Sequence, residues 1–192
     1  SLAALTLPHR ASLRGGEGSD AWASYAHHQL CAFESDGLHL GHAPDEPVNG
    51  YRSGEKVVLQ RSVPDDLVAE VTITFPAGAD SRSAGMLLRT SGPAVGYDAH
   101  RGYFAGILPG RGAVVFGRMD GEHWTELART DVALDAGTPH RLRVAATGPQ
   151  FAVAVDDRAL LRVEDGTWPR GQLGLRVVDT HAVFTDLELR DR

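Results

Sequence analysis

The chain contains a single cysteine, Cys31, among 192 residues. No intramolecular disulfide can form, so stability has to come from a core. One thiol suits a cytoplasmic protein and equally a secreted one that relies on a large core. No apolar run approaches the roughly 18 residues of a membrane-spanning helix, and the short apolar run after Ser1 has no basic leader. Lysine and arginine form no cluster and the net charge is −6, which argues against nucleic acid and anionic membrane as partners. There is no Gly-x-Ser-x-Gly elbow, no P-loop and no Cys/His nucleophile arrangement. No repeat recurs at propeller period, and no segment reads convincingly as a helix.

What the chain has is punctuation. Hydrophobic residues make up 42%, enough for a sizeable core, and 22 glycines and 10 prolines mostly fall between apolar runs. That pattern predicts many short strands. Leu67 to Phe75 alternates strictly, with Ala69, Val71, Ile73 and Phe75 on one face. A strand opens at Trp22 and Tyr25. QLCAFESDGLHLGH reads as a hairpin turning at Ser35-Asp36-Gly37. Further strands are expected at 56–61, 84–90, 140–147, 151–157, 159–165, 171–179 and 182–190. Between them GYFAGILPGRGAVVFGRMDGEHWTELA, from Gly102, reads as a meander with turns at 109–112 and 120–121. A long polar loop, Ser91 to Arg101, precedes it. About a dozen strands at this spacing imply an all-β, antiparallel two-sheet sandwich. Leu142, Val144, Leu187 and Leu189 should then point inward and Arg141, Arg143, Glu188 and Arg190 outward.

The order of AGMLLRT, the meander, HRLRVAATGPQFAVAVDDRALLRVED and the closing GQLGLRVVDTHAVFTDLELR resembles a concanavalin A-like (laminin G-like) jelly roll. Within that superfamily residues 20–190 are most similar to carbohydrate-binding module family 66. The closing phrase recurs across related sandwiches, so it speaks for the fold more than for the ligand. The resemblance implies an extracellular, bacterial module that binds terminal fructose in levan-like chains and is attached to a fructan hydrolase. Residues 5–14, LTLPHRASLR, resemble the segment that closes the catalytic propeller of glycoside hydrolase family 32. A Pro-Arg-Glu-Leu run is usual there, and this chain has Pro8-His9-Arg10-Ala11. Residues 1–19 are accordingly expected to be a linker or the tail of an upstream catalytic domain, and 20–192 the sandwich. The superfamily often carries a structural Ca²⁺ near the chain ends, for which Asp20, Glu34, Asp36 and Asp186 are the candidate ligands. No other cofactor is implied.

A sugar site needs aromatic rings for the apolar ring face and planar charged groups for the hydroxyls. Arg52, Glu55, Arg89, Tyr97, Asp98, Tyr103, Arg118 and Trp124 supply that inventory, and Arg89, Tyr97 and Asp98 flank the long loop. If Leu88 faces the core, Arg89 faces outward, and Arg118 is read in the same way. The two would clamp vicinal hydroxyls. Each residue also has an ordinary reading, as a core aromatic or a surface charge. His27-His28 and His39-x-x-His42 do not make a zinc site, because strand neighbours point to opposite faces and no cysteine joins them. The adjacent acids Asp65-Asp66, Asp156-Asp157 and Glu164-Asp165 read as turn formers rather than the separated pair a glycosidase needs. Three classes remain. One is a non-catalytic carbohydrate-binding module, with a saccharide and an upstream propeller as partners. The others are a catalytic sandwich resembling 3-keto-disaccharide hydrolases and a purely structural companion domain.

Overall fold

A computed structural model describes residues 1–26, 30–41, 54–76 and 82–192. Its strands are β1 (His9–Ala11), β2 (Trp22–Ser24), β3 (Leu30–Glu34), β4 (Gly37–Gly41), β5 (Lys56–Leu59), β6 (Leu67–Thr74), β7 (Ser83–Ser91) and β8 (Arg101–Leu108). They continue with β9 (Ala113–Asp120), β10 (Trp124–Asp131), β11 (His140–Thr147), β12 (Gln150–Val155), β13 (Arg158–Glu164), β14 (Gln172–Val178) and β15 (His181–Asp191). The only helical pieces among the described residues are single 3₁₀ turns at Ser19–Ala21 and Pro109–Arg111.

The strands form two antiparallel sheets. One has eight strands in the order β13-β12-β11-β6-β15-β4-β3, with β1 also on β15; the other has seven, β10-β9-β8-β7-β14-β5-β2. Period-2 alternation decides which side chains meet between them. Val71, Ile73, Leu142, Val144, Leu187 and Leu189 come from the first sheet, and Met86, Leu88, Ile107, Phe116, Leu175 and Val177 from the second; all are buried in one continuous cluster. The expected inside–outside division of β11 and β15 holds. Outside, Glu70 of β6 accepts from Arg141 (3.1 Å) and Arg190 (2.8 Å), tying three neighbouring strands across the solvent face. The β3–β4 hairpin turns where expected, with Gly37 at φ 142° against β15. Asp156 and Asp157 make the β12–β13 turn at φ 51° and 63°, which a short acidic side chain tolerates.

Residues 1–19, expected to be a linker or the tail of an upstream domain, pack against the sandwich. β1 pairs with β15, with His9 opposite Leu189 and Ala11 opposite Leu187. Leu5 and Ser62 are joined backbone to backbone at 2.9 Å, and the Gly15 amide donates to Glu34 O at 2.7 Å. Leu13 is 1% exposed and Leu5 and Leu7 pack against the same core. The physical reason is burial: Leu5, Leu7 and Leu13 pack into the shared core, while Gly15, Gly16 and Gly18, all at positive φ, turn the chain back. Arg14 fixes the segment through a paired contact with Asp186 at 2.7 and 3.0 Å.

Candidate functional site

The outer face of the seven-stranded sheet is built differently from that of its partner. Its strands carry glycine where a sheet face normally carries side chains: Gly174 on β14, Gly85 on β7, Gly106 on β8 and Gly117 on β9. The register sets Gly174 against Leu87, Leu87 against Phe104 and Phe104 against Gly117. In the next row Arg176 faces Gly85, Gly85 faces Gly106, and Gly106 faces Val115.

Two rings lie down on this bare floor. A Cβ at Gly106 would sit 2.5 Å from Phe104 Cε2, and one at Gly117 would sit 2.5 Å from Trp124 Cη2. Phe104 and Trp124 therefore cover their neighbours' glycines, and they meet edge to face with centroids 6.2 Å apart. Trp124 is only partly buried.

Arg176 stands beside them. Its guanidinium lies 5.3 Å from the Phe104 centroid on one side and 5.4 Å from that of Tyr97 on the other. Its Nη2 donates to Tyr97 O and to Asp98 Oδ1, the latter at 3.1 Å. Lys56 Nζ donates to Gly96 O at 2.9 Å. Two cations rising from the sheet thus hold the 92–100 loop over one half of the face, and Gly54 lets the loop backbone approach closely.

Crowding three cationic or basic groups under a loop has an electrostatic consequence. Burial, then the charge of Arg176, pushes the Lys56 ammonium down to about 8, against the opposing fields of Glu55 and Asp98. Burial, with Arg176 and Lys56 behind it, pushes His100 down to about 2, so that imidazole is neutral. Burial lowers Arg176 as well, opposed chiefly by Asp98. Both His100 ring nitrogens and Arg176 Nε are buried without a hydrogen-bond partner. Unpaired buried donors are costly, and they concentrate where a ligand or water completes the set.

Beside this cluster lies an open cavity of about 250 Å³, floored by Phe104, Leu108, Val115 and Met119 and walled by Tyr97, Asp98, Trp124 and Arg176, while Lys56 and His100 do not line it. It has the ingredients of a saccharide subsite, an apolar floor with a half-buried indole and converging polar groups.

Of the eight residues singled out from the sequence, Tyr97, Asp98 and Trp124 line this cavity. Glu55 is 4% exposed and does not line it; it acts on the titration of both Lys56 and Cys31 from the sheet edge. Arg52 lies outside the described residues, as do His27, His28 and His42.

Arg89, Tyr103 and Arg118 do not line this cavity; they gather around the Asp165–Trp168 connection. Tyr103 and Arg118 share their strands' inward face, with Tyr103 opposite Arg118 in register. The Tyr103 hydroxyl donates to Asp165 Oδ1 at 2.6 Å and accepts from the Trp168 amide at 3.1 Å. Arg118 Nη1 meets the same carboxylate at Oδ2. Arg89 escapes simple alternation because β7 is irregular between Leu88 and Ser91 and Arg89 itself sits at φ 51°. Its guanidinium is folded inward, over the Phe151 ring at 4.9 Å and donating to Asp65 O at 3.1 Å. These three residues tie the β13–β14 connection and the 65–66 bend to the end of the core.

Arg176, Phe104 and Met119 were missed. Arg176 had a signal: Leu173, Leu175 and Val177 point inward, which leaves Arg176 facing outward in mid-strand. Phe104 had none, since its neighbour Tyr103 satisfies the core position equally well on paper.

The four acids considered for Ca²⁺ do not form one cluster among the described residues. Among the described residues no group of three or more His, Cys, Asp or Glu stands where it could hold a metal. Asp186 is occupied by Arg14, and Asp36 by His39 at 2.7 Å, whose other nitrogen lies 2.9 Å from His181.

No family model matches the chain. It is 28% identical over 142 residues to the levanase of Bacillus subtilis (strain 168), a match covering 74% of this chain and 20% of the levanase. The chain thus spans about a fifth of that relative's length. The carbohydrate-binding module CBM66 from Bacillus subtilis superposes with a TM-score of 0.74 at 20% identity, over 89% of this chain and 96% of the module. A Bacillus subtilis protein of unknown function with a galectin-like fold gives 0.75 at 14%, over 100% and 97%. A prokaryotic β-1,3-1,4-glucanase from a mouse hindgut metagenome gives 0.68 at 13%, over 96% and 99%. The fold is therefore the CBM66-like, galectin-like jelly roll.

Proposed function

We propose that this chain is a non-catalytic carbohydrate-binding module of a glycoside hydrolase and that the cavity on the seven-stranded sheet is its saccharide site. The observation that carries the reading is the pairing of the half-buried Trp124 ring with Phe104 beside Arg176, itself buried and paired with Asp98, on a face kept open by glycine. The indole takes an apolar sugar face, and Arg176 and Asp98 take hydroxyls as donor and acceptor. The levanase similarity favours a fructan, of the levan or inulin type, as ligand and an enzyme with a catalytic domain as the larger protein, exported to reach its polysaccharide. A shallow site of this kind typically binds with micromolar to millimolar affinity, about −8 to −4 kcal/mol, and tethering to a catalytic domain makes that useful.

The test is affinity electrophoresis of this chain in gels cast with levan, inulin and unrelated glycans. Retardation by a fructan, abolished in Trp124→Ala while circular dichroism shows the sandwich still folded, is the expected result. Equal mobility in every gel would sink the binding reading and leave the structural-companion role.

A catalytic reading has one observation in its favour: two carboxylates, Asp98 and Glu126, line the same cavity. Each is paired with an arginine, Asp98 with Arg176 at 3.1 Å and Glu126 with Arg129 at 2.8 Å, which suits holding hydroxyls better than donating a proton. Release of product from the same glycans, lost in Glu126→Gln, would reverse that judgement.

A further inference from the structure

We infer that the cavity has a second, cationic subsite at one rim, formed by Arg82 and Arg111, and that it accepts a saccharide carrying an anionic group such as a carboxylate or a sulfate or phosphate ester. The inference rests on the saccharide reading above and goes beyond the neutral fructan considered there.

The argument begins with the charges around the cavity. Four arginines line it, Arg82, Arg111, Arg129 and Arg176, against two acids, Asp98 and Glu126. Each acid is already matched, Asp98 to Arg176 and Glu126 to Arg129. That leaves Arg82 and Arg111, and among the described residues neither has a hydrogen bond, an ion pair or a ring contact. The wall therefore carries two uncompensated positive charges on a chain whose net charge is −6.

Their placement follows from the fold. Arg82 immediately precedes β7, and Arg111 lies in the 3₁₀ turn between β8 and β9. Ala84 faces Ile107 in register, so the start of β7 and the end of β8 lie at the same end of the sheet. Val178, opposite Ser83, closes that end from β14. Trp124 faces Met119, near the other end of β9. A sugar laid across the apolar floor against Trp124 has its far side turned toward the two guanidiniums. Each is a planar fork suited to two oxygens of one anionic group. The net negative charge of the chain repels polyanions in general, so a preference for them has to arise locally.

The experiment uses matched probes on this chain: inulin and carboxymethyl-inulin, then levan and sulfated levan, in affinity gels or by titration calorimetry at low and high salt. The expected result is about tenfold tighter binding of the charged member of each pair at low salt, shrinking as salt is added. In Arg82→Ala/Arg111→Ala the ratio falls to about one. In Arg158→Ala/Arg162→Ala, charges removed from β13 of the other sheet, the ratio is retained. Equal binding of both members by the parent chain overturns the inference while leaving the neutral reading intact. A preference that survives Arg82→Ala/Arg111→Ala overturns it too. Binding of the charged probes alone upholds it and removes the neutral fructan. Retention of no probe removes both. Carboxylated and sulfated probes separate the two sources of the anion.

Discussion

Replacing Gly106 by alanine separates the cavity from the fold. The new Cβ would lie 2.5 Å from Phe104 Cε2, 2.8 Å from Cζ and 3.5 Å from Cδ2, so its three nearest neighbours all belong to one ring. That ring is on the solvent side of the sheet and has the cavity in front of it. It can move away by about 1 Å, at the roughly 0.5–1.5 kcal/mol cost of an off-rotamer side chain. Gly106 has no positive φ, so alanine adopts its backbone conformation freely, and restricting the unfolded chain returns about 0.4–1 kcal/mol. Net stability should change by less than about 1 kcal/mol, a melting shift of about 2–4 °C at most for a chain of this size. Binding should not survive as well. The displaced ring enters the cavity and loses its edge contact with Trp124, a pair worth about 0.5–1.5 kcal/mol. Loss of that order, with the floor reshaped, weakens saccharide binding about tenfold. Thermal denaturation and titration with the fructan or charged fructan that the parent chain binds measure the two quantities on one sample. Gly85, the residue facing Gly106, supplies the contrast. A Cβ there meets Ala105 O at 1.7 Å, and the backbone cannot yield. Gly85→Ala is expected not to fold. If Gly106→Ala keeps full affinity, Phe104 is not part of the site and the argument from the bare floor is wrong.

Leu13→Ala should cost about 2–5 kcal/mol, read from the urea midpoint, because the side chain is sealed in the core; a substitution in a loose linker would cost nothing. Burial and the Asp165 carboxylate raise the Tyr103 hydroxyl to about 12. The unfolded chain therefore ionises first, and stability that is fully present below pH 10 falls as pH rises toward 12. Tyr103→Phe removes that share of the alkaline decline while losing about 1–2 kcal/mol at neutral pH, and urea titrations at neutral and alkaline pH compare the two. Chelation with EDTA should leave the melting temperature unchanged, and a clear drop would reveal an ion site that the carboxylate geometry does not provide.

Much of the fold was legible because alternation is a local property. Ala69, Val71, Ile73 and Phe75 declare one face of β6 without reference to any other strand, and the Asp36-Gly37 turn fixes the β3–β4 register by itself. The site was less legible. Tyr97 and Asp98 stood out through the length of their loop, and Trp124 through its chemistry at a strand start. Arg89 was misplaced because a bulge reverses alternation, and Tyr103 because two adjacent aromatics on one strand compete for a single core position. The packing of residues 1–19 was illegible for a related reason: Leu5, Leu7 and Leu13 look unremarkable until the core is there to receive them.

The sequence by itself determined the class of structure, a pair of antiparallel sheets with a known inward face on most strands. Strand polarity and turn chemistry are written within a few residues of each other. Which outward face is open, and what stands on it, follows from how the strands pack together. Arg176, Gly85, Gly106 and Val115 come from four strands, and their adjacency exists only once cross-strand register has been set by the packing of the opposite face.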